Sequence, residues 1–256
     1  MIYENIQEEL QILKQLPEPV VTWFRANKRE LPWRDHPDAY RVWVSEIMLQ
    51  QTRVEAVKSY YQRFLEALPD VKTLAGAEED QLLKLWEGLG YYNRVRNMQK
   101  AATQIMVDYG GEFPQTYEEI LNLTGIGSYT AGAISSFAFG LAKPAVDGNV
   151  LRVISRITGS DRDIMKQSVR KRMETLLEQV IPADASSDFN QGLIEIGDEV
   201  EITEYQSFMN YSYIIEPAVA MSGCYPNARR IKSRKGIIKN IEHTPRGFIV
   251  TAEFDE

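Results

Sequence analysis

The chain has 256 residues, 44% of them hydrophobic and 25% charged, which is enough for one or two globular domains with a real core. Its single cysteine, Cys224, excludes an intrachain disulfide and an all-cysteine metal site, and its two histidines, His36 and His243, argue against a zinc site or a histidine-based triad. The formal net charge of -7 lacks the basic footprint usual for nucleic-acid binding, although salt screening leaves room for a local electropositive face.

The N-terminal part of the chain predicts two short helices. Residues 3–16 show helical spacing, Pro17 and Pro19 should interrupt that helix, and a second helix is expected over residues 20–27. Nothing in residues 1–16 reads as a signal peptide, and no apolar run reaches the roughly 18 residues needed to span a membrane. A cytoplasmic location is therefore expected.

A rigid loop is predicted over residues 28–34, because Leu31 precedes a proline and should be extended. The loop carries Arg29, Trp33 and Arg34. Two interpretations are open: Trp33 plugs the core while the arginines are solvated, or the loop forms a base pocket with an aromatic wall and cationic donors.

The next predicted helix covers residues 39–51, with Asp38 as a possible N-cap. Its apolar side, which includes Trp43 and Ile47, surrounds Glu46. A carboxyl group in such surroundings has a raised pKa, because desolvation disfavours its charged form, and it can then serve as a general acid near neutral pH. The alternative is a solvent-facing glutamate on an amphipathic helix.

Further helices are predicted over residues 54–68, after residues 74–77, and from a Gly-Leu-Gly-Tyr-Tyr turn at residues 88–92 to Tyr109. Three cations on the last of these are candidates for phosphate contacts or simply a solvated face: Arg94, Arg96 and Lys100. Thr116 begins a capping-box pattern before another short helix.

Residues 121–152 predict a helix, a tight glycine hairpin at Gly125 and Gly127, and a second helix that begins at Ser128 and is rich in small residues. The exposed amides of such a hairpin make an anion site at a helix N-terminus, which suits a phosphate. Asp147 precedes a helix over residues 150–157 and is either an N-cap alone or a carboxylate directed towards whatever the hairpin binds.

The rest of the chain predicts helices over residues 167–180 and 187–197, a basic linker over residues 229–239 and one strand over residues 247–251.

The hairpin followed by a lone aspartate resembles the endonuclease III superfamily of DNA glycosylases, and the Tyr-Thr-Ala-Gly-Ala run at 129–133 is most similar to its MutY branch, the adenine DNA glycosylases. The motifs at 29–34, 42–53, 88–92 and 189–197 also resemble that family. The resemblance implies an all-α, two-lobed helix-hairpin-helix fold in residues 1–200, with a six-helix lobe at about 30–140 and a second lobe from 1–29 and 141–200. Residues 201–256 are then expected to be a divergent, irregular or β extension with at most the first strand of a Nudix-like domain.

By the same resemblance, the residues expected at the site fall into three groups. The catalytic group is Glu46, Asp147, Tyr129 and Asn149, and the base pocket is Arg29, Leu31, Trp33, Arg34 and Gln191. The DNA contacts are Gln51 and Tyr91 as wedges, with Gly125, Gly127 and Ser128 at the hairpin.

The function implied is hydrolysis of the N-glycosidic bond of adenine mispaired with 8-oxoguanine or guanine, by a monomer acting on double-stranded DNA. Most relatives hold a [4Fe–4S] cluster with four cysteines after the position of Gly197, but Cys224 alone cannot, so no cofactor is expected. Two alternatives stay open: an endonuclease III-like pyrimidine glycosylase, which requires a hairpin lysine where this chain has Tyr129, and a DNA-binding remnant without catalysis.

Overall fold

The computed structural model describes residues 6–196, 199–206, 210–216, 220–221, 225–226, 231–233, 235–244 and 247–254. Residues 6–196 are helical throughout, apart from turns and short connections. The helices there are α1 (Ile6–Leu13), α2 (Pro17–Asn27), α3 (Ala39–Leu49), α4 (Val54–Ala67), α5 (Val71–Ala75), α6 (Glu79–Trp86), α7 (Asn93–Asp108), α8 (Tyr117–Leu121), α9 (Ser128–Phe137), α10 (Gly148–Ile157), α11 (Gln167–Glu178) and α12 (Ser186–Ile196).

The helical part contains two hydrophobic cores. One is built from buried residues between Leu31 and Ile134, on α3 to α9 and the loops around them. The other combines Leu10 to Val21 of α1 and α2 with Val146 to Leu193 of α10, α11 and α12. The chain thus crosses from one core to the other near residue 30 and again near residue 140.

Local chemistry explains most helix boundaries. Asp38, Thr116 and Asp147 each accept a hydrogen bond from a backbone N–H in the first turn of the helix that follows. Helix α1 ends at Leu13, before the two prolines that are predicted to interrupt it. Helix α2 begins at Pro17, three residues before its predicted start, because a proline in the first turn of a helix lacks only an N–H that would have no partner there.

Two further differences concern helices of the first core. A separate short helix, α5, forms where Asp70 and Thr73 make a reciprocal capping box, a signal that hydrophobic spacing does not carry. Helix α3 ends at Leu49, two residues before the expected end, and Gln51 therefore lies in the turn beyond it.

The tail forms an antiparallel sheet rather than the single strand and basic linker that the sequence predicts. Its strands are β1 (Glu199–Gln206), β2 (Asn210–Glu216), β3 (Ala220–Met221), β4 (Tyr225–Pro226), β5 (Lys235–Thr244) and β6 (Gly247–Glu253). The order is β3-β2-β1-β5-β6, with β4 paired to β2. Cross-strand pairing overrides weak local propensity here: β5 pairs with β6 along most of its length and places Lys235 opposite Glu201 of β1. The expected linker start, Arg229, lies outside the described residues.

The two cores meet where α9 packs against the segment that leads to α10. A Cβ at Gly132 would overlap the backbone carbonyl of Pro144, so this approach requires glycine. The buried side chain of Asn190 on α12 completes the contact: its amide nitrogen donates to Ser136 Oγ and to the carbonyl of Lys143, both at 2.9 Å, and its Oδ1 accepts from Ala145 N at 3.1 Å. These contacts fix the position from which Asp147 emerges.

Among the described helices, none combines the length and the apolar character that crossing a membrane requires.

Candidate active site

Glu46 and Asp147 come from different cores and interact electrostatically where the cores meet. Glu46 lies on the buried side of α3 and is 6% exposed. The hydroxyl of Tyr129, in the first turn of α9, donates a hydrogen bond of 2.6 Å to Glu46 Oε2. Asp147 is close enough for its charge to raise the pKa of Glu46.

Burial is the main cause of the raised pKa of Glu46, which moves from 4.5 to about 7. The hydrogen bond from Tyr129 opposes this rise, since it stabilises the charged form, and the positive charge of Arg34 opposes it as well. The carboxyl group therefore holds its proton over part of the neutral range, as expected from its apolar neighbours.

Asp147 is held by the backbone. Its Oδ1 accepts a hydrogen bond of 2.8 Å from Val150 N, which makes it the N-cap of α10. Arg170 of α11 donates to the carbonyl of Val146, directly before it. Asp147 is therefore an N-cap that uses one carboxylate oxygen. Its half-buried carboxylate also raises the pKa of Glu46.

A second group of side chains, which we call the Arg–Glu cluster, consists of Arg29, Arg34, Gln191 and Glu195. Glu195 Oε1 accepts from Arg29 Nε at 2.8 Å and from Arg29 N at 3.0 Å, and its Oε2 accepts from Arg34 at 2.8 Å. Arg34 Nε donates to Gln191 Oε1 at 2.8 Å. Neither arginine is simply solvated, and both are anchored to α12 of the second core.

Two residues of the expected base pocket belong to the core of the first lobe. Leu31 is 5% exposed and Trp33 is 7% exposed, and the Trp33 ring meets Tyr61 edge-on with centroids 5.5 Å apart. The core interpretation of Trp33 is thus the one that its contacts favour. Arg29, Arg34 and Gln191 do lie together, as the pocket interpretation requires.

Asn149 lies one residue beyond the start of α10 and faces α12. Its side-chain amide donates to Ile194 O at 3.5 Å, and its Oδ1 accepts from Arg152. It therefore links the Asp147 region to the end of α12 that carries Glu195.

The hairpin has the backbone that the sequence predicts. Gly125 has φ of 79°, and a Cβ at this position would come 2.7 Å from Asn97 Cβ, so a larger residue is excluded twice over. Gly127 is the N-cap of α9 and is exposed, with open space around its Cα. Ser128 Oγ donates to Glu174 of α11 at 2.8 Å and so ties the hairpin to the second core.

Gln51 and Tyr91, expected as wedges, share an unusual backbone. They are the only described residues other than glycine with positive φ, at 59° and 47°. Both side chains are exposed, Tyr91 to 69%. A left-handed backbone at two large exposed residues indicates turns built to present those side chains.

Arg94 connects the two turns. Its Nη1 donates to Ile47 O at 2.8 Å and to Gln50 O at 2.5 Å. Its Nη2 donates to Leu89 O at 2.8 Å and to Gly90 O at 3.3 Å. The expectation that Arg94 contacts phosphate is therefore wrong for this conformation, because both terminal nitrogens serve the backbone. Arg96 pairs with Glu79 at 2.9 Å, and Lys100 is exposed.

Sequence reasoning missed Glu195, and it named Arg94 only as a candidate for phosphate contact. A signal for Glu195 existed: it is an acidic residue within an apolar helix end, four positions after Gln191, so both lie on one face of α12. Nothing local marks Arg94 as a backbone clamp, because the carbonyls that it binds come from two separate turns.

The residues after α12 do not fit a [4Fe–4S] cluster. Such a cluster requires four thiolates, whereas β1 begins at Glu199 and the chain has one cysteine. That residue, Cys224, lies outside the described residues, and those that are described include no group of histidine, cysteine and acidic side chains able to hold a metal.

Chemically, the site places a carboxyl group with a raised pKa near a second acidic side chain. A pair of acidic groups can protonate a leaving group and stabilise a developing cation. The arginine pair is held close by through Glu195 and Gln191.

Comparison with known proteins gives a consistent picture. The profile of a family described as HhH-GPD superfamily base excision DNA repair protein matches residues 44–179. Adenine DNA glycosylase of Buchnera aphidicola subsp. Acyrthosiphon pisum is 38% identical over 185 residues, which cover 72% of this chain and 53% of that protein. Adenine DNA glycosylase of Homo sapiens is 41% identical over 187 residues, which cover 70% of this chain and 34% of that protein.

Similarity extends to solved structures. A trapped endonuclease III–DNA covalent intermediate, in an estranged-adenine complex, matches with a TM-score of 0.61 and 25% identity, over 72% of this chain and 84% of that one. The chain spans about half the length, or less, of the curated relatives named above.

Proposed function

The chain belongs to the HhH-GPD superfamily of base excision DNA repair proteins, and from that premise we propose that it is a monofunctional adenine DNA glycosylase acting on adenine mispaired with 8-oxoguanine or guanine. The observation that carries the proposal is the buried Glu46, hydrogen-bonded by Tyr129 and influenced by Asp147. Relatives with the name adenine DNA glycosylase support the choice of base.

Glu46 supplies the proton. Adenine leaves poorly as an anion, so cleavage of its N-glycosidic bond requires protonation of the ring. A carboxyl group with a pKa of about 7 retains a proton near neutral pH and still donates it readily. Tyr129 orients the carboxyl through its hydrogen bond to Oε2.

Asp147 stabilises the sugar. As the bond to adenine breaks, positive charge develops on the ring, and a fixed carboxylate lowers the energy of that cation. The backbone N–H of Val150 holds one carboxylate oxygen in place. Water then completes hydrolysis.

Cleavage requires the adenine to leave the duplex, because the scissile bond is inaccessible inside the stack. Gln51 and Tyr91 are presented on two turns that Arg94 joins, which suits insertion beside an extruded base. The hairpin at Gly125 and Gly127 offers backbone amides to a phosphate.

A pyrimidine glycosylase with lyase activity is the nearest alternative, and Tyr129 speaks against it. That chemistry needs an amine nucleophile in the hairpin. Here the corresponding phenol is committed to a hydrogen bond with Glu46.

The test is a single-turnover assay on duplexes that contain adenine opposite 8-oxoguanine or guanine. Wild type should release adenine. Glu46→Gln should bind the duplex with similar affinity, but its rate of adenine release should fall by at least about a hundredfold, the usual range for a lost general acid. A duplex with thymine in place of adenine is the control. Turnover by Glu46→Gln near the wild-type rate would remove Glu46 from the mechanism.

The absence of an iron–sulfur cluster, the monomeric state and the cytoplasmic location stay predictions. Metal analysis of purified protein should give no stoichiometric iron, since one cysteine cannot supply four ligands.

A further inference from the structure

We propose that Glu195 is a positioning residue that holds Arg29 and Arg34 in place at the boundary between the two cores and balances part of their charge. The inference rests on the proposed function for its kinetic consequence. Its geometry is independent of that function.

The contacts assign Glu195 a central place in the Arg–Glu cluster. It is 6% exposed and receives both arginines, one on each carboxylate oxygen, at 2.8 Å. Arg34 is fixed further by Gln191 Oε1 and by the carbonyl of Arg29, both at 2.8 Å. A buried carboxylate with one arginine on each oxygen determines where both guanidinium groups point.

Charge is the second part of the argument. The cluster contains two cations and one anion, so it carries a net charge of +1. The groups that act on Glu46 come from three other elements: Tyr129 on α9, Asp147 at the start of α10, and Arg34 in the loop before α3. Arg34 is the one cation of the three, and it favours ionisation of Glu46.

Removal of the Glu195 charge raises the cluster to +2. Arg34 then loses its counter-ion and exerts a stronger pull on Glu46, which should ionise at lower pH. Removal of Arg29 has the opposite sign, because the cluster becomes neutral and Glu46 should keep its proton to higher pH.

Glu9 provides a matched control. It is also a buried carboxylate between two arginines, with Arg162 at 2.6 Å and Arg172 at 2.8 Å, and it lies in the second core between α1 and α11. Glu9→Gln should reduce stability by the same physical route, since it leaves two arginines without their anion. It should leave the acidity of Glu46 unchanged.

The experiment measures the pH dependence of adenine release in single-turnover assays for wild type, Glu195→Gln, Arg29→Met and Glu9→Gln. The upper limb of the profile reports deprotonation of Glu46. Its midpoint should fall by on the order of one unit in Glu195→Gln, rise in Arg29→Met and stay in place in Glu9→Gln. The double variant Glu195→Gln/Arg34→Gln should regain the wild-type midpoint, even if its rate is low.

A loss of rate in Glu195→Gln without movement of the midpoint would overturn the proposal and leave Glu195 a structural ion-pair partner. If that variant does not fold, Arg29→Met decides alone, and an unchanged midpoint overturns the proposal. Arg29 is 32% exposed in its side chain, so its replacement is the gentler change.

A carboxyl ¹³C titration of Glu46, assigned by its loss in Glu46→Gln, separates the two inferences. If wild type releases no adenine, the proposed function fails, and the titration in the same variants still tests Glu195. A shift of the Glu46 midpoint in Glu195→Gln supports the proposal, and an identical midpoint refutes it.

Discussion

At the scale of single residues, the site depends on opposing influences on one proton. Burial favours the neutral form of Glu46, while Tyr129 and Arg34 favour the charged form, and burial prevails. Because ionisation is harder in the folded protein than in the unfolded chain, the same group affects stability.

Glu46 should make the protein less stable as pH rises. Its folded pKa of about 7 lies above its ordinary value of 4.5, so the folded state binds more protons between these values and stability falls across that window. Glu46→Gln removes this dependence. The free energy of unfolding of Glu46→Gln minus that of wild type should therefore increase from pH 4.5 to pH 8, by on the order of 1–3 kcal/mol.

Denaturant unfolding of both proteins at pH 4.5 and pH 8 checks this. A difference between the proteins that stays constant with pH would mean that Glu46 ionises normally in the folded state.

Asp147→Asn should preserve the fold and reduce adenine release by about a hundredfold or more, since the amide can still cap α10 but carries no charge. The control is Asp38→Asn, which alters the N-cap of α3 in the same way, with a bond of 2.8 Å to Arg41 N. Both variants should melt within a few degrees of wild type, and the control should retain its rate. Equal rates in the two variants would reduce Asp147 to a cap.

The sequence allowed good prediction of those site residues whose signal is local. Glu46 stands out among apolar neighbours, Asp147 directly precedes a helix, and the glycine spacing marks the hairpin. The role of Glu195 and the backbone contacts of Arg94 were not predicted. Arg34, one partner of Glu195, is 161 residues away, and the partners of Arg94 are divided between two turns. Charges whose partners are distant in sequence have no periodic signature.

At the scale of elements, α9 positions the site from two sides. Its first turn carries Tyr129, and its middle permits backbone contact with the segment before Asp147 through Gly132. That contact requires glycine at position 132.

Gly132→Ala should therefore be costly. Its new Cβ meets the backbone of Pro144 and Ala145, which cannot rotate away, so α9 and the following segment have to separate. We expect a loss of about 1–3 kcal/mol in stability, as for other overpacked cores, together with reduced adenine release.

Gly127→Ala is the matched control for stability, because open space surrounds that position and its φ of -98° suits any residue. Calorimetric melting of the two variants compares them. Similar melting temperatures would show that the α9 contact is not tight.

Most helices of the first 196 residues could be predicted to within a few positions, because their apolar faces repeat regularly. The sheet could not. Its strands are short or highly charged, and their pairing rests on partners such as β5 and β6 that no single segment reveals.

At the scale of the whole molecule, the site is assembled only when the two cores dock. Glu46 comes from the first core, and Asp147 and Glu195 come from the second. Contacts made by Asn190, Ser128 and Arg34 cross the boundary between the cores and maintain the arrangement.

The product should be an intact abasic strand. Strand cleavage through a Schiff base needs a lysine near the sugar, and the hairpin offers Tyr129 instead. Lys143, the next lysine along the chain, pairs with Glu178 at 2.7 Å. Reactions on a labelled duplex should show nicking only after alkali, and borohydride should trap little covalent adduct. Alkali-independent nicking that disappears on mutation of one lysine would contradict a monofunctional mechanism.

The turns at Gln51 and Tyr91 lower the stability of the fold in order to expose two large side chains. A left-handed backbone costs a large residue roughly 1–2 kcal/mol, and glycine would adopt it without penalty. A chain selected for thermal stability alone would carry glycine at both positions. Retaining two bulky side chains there gives up stability in favour of a surface already shaped before any duplex arrives. Screens for thermostable variants of this protein should therefore return substitutions at these two positions that raise the melting temperature and reduce adenine release.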